Sequence, residues 1–135
     1  MKKELSDQLR RMKEKSLQSL EIAKDLFSKG HHGDSSSKAY YAVFHALQAV
    51  LLTKGLTHSK HQQVIGSFNK ECIHTGLFPK DFSKWIERLF KDRQISDYEY
   101  LATISRDSAE EDLKRAETII LAIVEYLKKE GFLDT

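Results

Sequence analysis

One cysteine, one proline and six glycines in 135 residues set the first limits on this chain. Cys72 alone cannot close an intramolecular disulfide, and with no second thiol it builds neither a zinc knuckle nor a redox pair, so a reducing compartment is expected. So little proline and glycine leaves few breaks for a strand-and-turn protein, and a hydrophobic share of 40% is too high for a disordered one. No uncharged apolar run approaches membrane-spanning length, and Met1-Lys2-Lys3-Glu4-Leu5 leads into charged residues without the apolar stretch of a signal peptide. A cytoplasmic protein without membrane association is expected. A strong charge imbalance is also missing. A net charge of +2 and an isoelectric point near 8.6 neither demand nor exclude nucleic acid, because phosphate binding needs local clusters of cations.

What the chain does have is charge, 31% of its residues, interleaved with apolar side chains at helical spacing. Leu5, Leu9, Met12, Leu20, Ala23 and Phe27 predict a long first helix, ended by the glycines of Ser28-Lys29-Gly30-His31-His32-Gly33, with Asp34 as the next N-cap. Ser35 to Lys54 carries a broad apolar face, including Tyr40, Val43, Phe44, Leu47 and Val50, and should be the most buried helix, stopping at Gly55. Two short helices are expected next, one from near Ser59 to Cys72 and one after Pro79. Between Asp92 and Ser105 the periodicity weakens and no assignment follows. From Arg106 to Lys129 the apolar steps of four and three predict a last helix, with Asp107 and Glu110 as its capping signal. The expectation is one all-α domain over residues 1–135, an antiparallel bundle of four to five helices.

Several side chains invite chemistry. Tyr40, Tyr41 and Phe44 can stack bases, although aromatics on an amphipathic helix are usually core, and Tyr41 is the least clearly buried of the three. His45 can face a cleft or serve as an ordinary hydrogen-bonded histidine. His58 with His61, and His31 with His32, lack the carboxylate or thiolate that would complete a metal site, so no metal and no cofactor are expected. Arg93 and Asp97 stand at the spacing of an ordinary helical ion pair. If the segment is helical, Tyr100 shares their face and Tyr98 lies about 140° from Arg93.

The string Ser37-Lys38-Ala39-Tyr40-Tyr41-Ala42-Val43-Phe44-His45-Ala46, followed by His61, Phe68, Gly76 and then Arg93-Gln94-Ile95-Ser96-Asp97-Tyr98, resembles the HEPN family, particularly its small stand-alone members. The resemblance implies a helical bundle that assembles as a homodimer and pairs with a nucleotidyltransferase partner as toxin and antitoxin. In active members it implies a metal-independent endoribonuclease whose motif is an arginine followed by a histidine and then a tyrosine. Here Arg93 takes the arginine place, Tyr98 the histidine place and Tyr100 the place of the later tyrosine. Removing the proton of a ribose 2′-hydroxyl needs a base that titrates near neutrality, and a tyrosine with its ordinary pKa of about 10 serves that purpose poorly. Arg93 is therefore expected to hold phosphate, Asp97 to orient it and Tyr98 to hydrogen-bond the substrate, with Tyr100, His45 and Tyr41 as further binding candidates. This favours RNA or nucleotide binding over efficient cleavage. The alternative is a non-catalytic module that docks a nucleotidyltransferase. The resemblance also raises adenylation of Tyr100 by that partner.

Overall fold

The computed structural model describes residues 2–134 and consists there of helices joined by turns and loops, with no strand among the described residues. The helices are α1 (Lys2–Ser28), α2 (His32–Leu52), α3 (His61–Phe68), α4 (Asp81–Tyr98) and α5 (Arg106–Lys129), and a π-helical turn, Asn69–Ile73, continues α3. This is the all-α bundle expected. Its hub is α2, which packs against α1, α3, α4 and α5.

The hub position follows from the composition of α2. Ser35, Ser36, Ala39, Ala42, Ala46 and Ala49 are buried along it, and side chains this small let neighbouring backbones come close on more than one side. Two hydroxyls then tie α1 to α2 in both directions. Ser16 Oγ donates to the Ala42 carbonyl at 2.6 Å, and Ser35 Oγ donates to the Ala23 carbonyl at 2.7 Å. Each bond satisfies a buried polar group and contributes about 1 kcal/mol. Larger side chains fill the remaining space, among them Leu9, Tyr40, Leu47, Ile86, Leu89 and Ile120, all fully buried.

Several boundaries differ from the sequence expectation, each for a local reason. Gly30, at φ +86°, ends α1 as expected. Gly33 is not a breaker but part of α2, where a Cβ would lie 2.8 Å from Ser96 Oγ. The missing side chain thus brings the end of α4 against the start of α2. Asp34 is a first-turn acid at the positive end of α2 rather than its cap, because the helix begins two residues earlier. The fourth helix is not short: it runs for 18 residues and takes in the unassigned stretch as far as Tyr98. The cap of α5 is Ser105, whose hydroxyl accepts the Ser108 amide at 3.1 Å, and Asp107 sits inside the first turn.

Candidate functional site

Arg93 lies in the last third of α4, facing α2. Its side chain is only 9% exposed, and aromatic faces surround it: the guanidinium carbon is 5.3 Å from the ring centre of Tyr41, 5.5 Å from Tyr40 and 5.7 Å from both Phe90 and Tyr98. Ring faces are electron-rich and attract a cation more strongly where water is excluded. Among the described residues, polar partners are found at the Nε edge. It donates to Tyr41 Oη at 3.1 Å and lies 3.5 Å from Asp97 Oδ2. Asp97 is steadied in turn by Ser37 Oγ, which donates to Oδ1 at 2.8 Å. Among the described residues the two terminal nitrogens make no hydrogen bond. The guanidinium is therefore fixed by one edge and keeps its other donors unspent.

Arg93 lines a groove of about 480 Å³ together with Lys60, His61, Gln62, Gln63 and Phe90. His61 stacks on Phe44 with ring centres 4.2 Å apart, and its Nδ1 is 2.7 Å from Tyr40 Oη. Burial raises the Tyr40 phenol far above its ordinary value, so it stays protonated. Among the described residues the hydroxyl has no other partner, so it donates to Nδ1, which leaves the ring proton on Nε2. Burial first, and the Arg93 cation second, lower the His61 pKa and keep the ring neutral at physiological pH. The groove thus offers hydrogen-bond donors and positive charge.

Of the residues singled out by sequence, the fold brings together Arg93, Asp97, Tyr41 and Tyr98. The Tyr98 ring stacks against Arg93 while remaining 67% exposed. Tyr100 does not share the Arg93 face, because α4 ends at Tyr98, and the tyrosine is fully exposed in the following loop. His45 stands apart from the groove, half-buried beside Phe44, its pKa lowered by burial and then by Lys15 and Lys38. Tyr40 and Phe44 are core residues. No three His, Cys, Asp or Glu side chains cluster as metal ligands among the described residues. Cys72 is buried, and that burial pushes its thiol up to about 11, which makes it unreactive. No described helix is long and apolar enough to cross a membrane.

Sequence reasoning missed Ser37, Lys60, Gln62 and Gln63 as parts of this site. It read His61 only as a member of the family string and a weak metal candidate. It also missed a second buried charge cluster beside the first. Asp92 and Asp112 are both buried where α4 meets α5, and Arg88 Nε lies 3.2 Å and 3.3 Å from the two Asp92 oxygens. Asp112 Oδ2 and Ser36 Oγ are buried without a hydrogen-bond partner. Burial first, and then the neighbouring Asp92 carboxylate, raise Asp112 to about 8, so Asp112 keeps its proton at neutral pH.

Comparison with known proteins bears on this geometry. The family model described as HEPN domain matches residues 9–127. A UPF0332 protein of Thermotoga maritima is 34% identical over 113 residues, which cover 82% of this chain and 86% of that protein. Two proteins of Methanocaldococcus jannaschii, both named as candidate toxins, are each 29% identical. One alignment covers 93% of this chain and 86% of the relative, the other 96% of each.

Proposed function

This chain belongs to the HEPN domain family, and from that premise we propose that it is a toxin-like protein that binds RNA or a nucleotide through Arg93. One observation carries the reading: a guanidinium buried among four aromatic rings, held at its Nε edge, with terminal nitrogens that make no hydrogen bond among the described residues, on a residue that lines an open groove. Burying a cation is costly unless it is paired and hydrogen-bonded, and a ligand phosphate accepts from two guanidinium nitrogens at once. Asp97, held by Ser37, orients the guanidinium, and Tyr98 presents its hydroxyl at the rim.

Binding is favoured over turnover. The motif histidine is absent, and the nearest imidazole, His61, has Nδ1 occupied by Tyr40 and a proton on Nε2, so it offers a donor where cleavage needs a proton acceptor. The test compares the parent with Arg93→Ala and Tyr98→His in RNA-binding and metal-free cleavage assays. Arg93→Ala is expected to weaken RNA binding by about tenfold to a hundredfold. Tyr98→His is expected to gain cleavage. An Arg93→Ala variant that binds and cuts RNA as well as the parent removes this site.

A second reading draws on the end of α4 and the loop after it, where Tyr98, Tyr100 and Leu101 are exposed together. Large apolar side chains in a contiguous exposed set mark a protein contact. In this reading the loop docks a nucleotidyltransferase partner, homodimerisation serves the complex, and Tyr100 accepts an adenylate. Intact mass after incubation with that partner and ATP should show the addition; an unchanged mass refutes the modification.

A further inference from the structure

We propose that the first turn of α3 is the second half of the phosphate receptor: the unbonded backbone amides of His61, Gln62 and Gln63, together with the Lys60 ammonium, close on a phosphate group held from the other side by Arg93. The inference rests on the reading that Arg93 meets phosphate, and it extends that reading to a wall of the groove outside the Arg93 to Tyr98 string.

The start of α3 is built as an anion receptor. Lys60 occupies the N-cap position in extended backbone, with no side-chain cap, and the first turn contains no acid. The first backbone bond into the helix is Val64 N to Lys60 O at 3.1 Å, so the three preceding amides donate to no group among the described residues. Such amides point out of a helix start, and the helix dipole makes that end positive. A lysine placed there is unfavourable for helix stability, because its charge repels the positive end of the dipole, and an anion seated against it reverses the sign.

The independent observation comes from the opposite wall. Arg93, with its side chain only 9% exposed and its terminal nitrogens unbonded, lines the same groove as Lys60, His61, Gln62 and Gln63. Two cationic residues, Lys60 and Arg93, and the three first-turn residues His61, Gln62 and Gln63 line one volume of about 480 Å³. That is room for a nucleotide-sized group. The ligand class is a phosphate carried by a free nucleotide or by an RNA chain.

The experiment titrates the full chain with inorganic phosphate, then AMP, then a short RNA, following amide resonances by NMR, and repeats each titration with Gln62→Glu. The His61, Gln62 and Gln63 amides are expected to shift saturably. Gln62→Glu should weaken phosphate binding by at least about tenfold, through like-charge repulsion. The same change should leave the melting temperature equal or higher, because a carboxylate is favoured at a helix N-terminus. A merely structural first turn would move the temperature without moving affinity. The AMP and RNA arms assign the source of the phosphate. Unmoved amides, or a Gln62→Glu chain that binds like the parent, overturn the inference. If Arg93→Ala alone loses RNA, the proposed function survives without this wall; if neither variant loses it, both fall.

Discussion

Asp92 and Arg93 are neighbours on α4, both buried, and they resolve the cost of a charge without water in opposite ways. Asp92 faces Asp112 of α5, whose carboxyl group keeps its proton and so carries no negative charge, while Arg88 offsets the charge of Asp92. Arg93 faces α2 and keeps its charge, stabilised by ring faces, one hydroxyl and one partly exposed carboxylate. The acid pair ends with its charge cancelled internally, and the arginine ends with donors to spare beside a groove. A perturbed buried charge alone does not mark function, since structural networks perturb charges too. The distinguishing feature is whether valence is left over where a ligand can reach it.

The comparison can be broken most forcefully at the acid pair. The pKa of Asp112, about 8 in the folded chain, lies above its unfolded value near 4, so the folded state holds a proton the unfolded state releases. Stability should therefore fall as pH rises from about 4 to about 8 and level off beyond. Asp112→Asn keeps the shape without the charge and should flatten that decline, exceeding the parent above pH 8 by on the order of a few kcal/mol in chemical denaturation. Next in size, Arg93→Met should leave stability within about 1 kcal/mol of the parent, because an apolar chain suits the aromatic box. Its RNA affinity should fall by about tenfold to a hundredfold. A large loss of stability with binding intact would make Arg93 structural, like Asp92.

Two smaller effects sharpen the contrast. Ser37→Ala removes the hydrogen bond to Asp97 and should cost about 1 kcal/mol in thermal unfolding, with a several-fold loss of RNA affinity as the carboxylate loosens. Tyr41→Phe removes the hydroxyl from Arg93 Nε but keeps the ring, so a change of about 0.5 kcal/mol is expected, with affinity nearly unchanged.

How legible this was in the sequence depends on the range of each interaction. The helices and the buried α2 were readable, because period and composition are local signals. The stops at Gly30 and Gly55 were readable too, since both take positive φ. Gly33 was misread as a breaker because its reason, the approach of Ser96, comes from a residue far along the chain. Arg93 and Asp97 were found through their shared string. The partners that define the site, Ser37 at a separation of 60 residues and Tyr41 at 52, could only be placed by the fold. The Asp92 and Asp112 pair gave no signal, since each aspartate alone reads as a solvated helical charge.

The most direct measurement follows the side-chain nitrogens of Arg93 by NMR during titration with a short RNA in metal-free buffer. The account predicts a saturable shift at the two terminal nitrogens, with Nε little changed because Tyr41 and Asp97 retain it. Terminal nitrogens that stay unmoved while the RNA binds would contradict it.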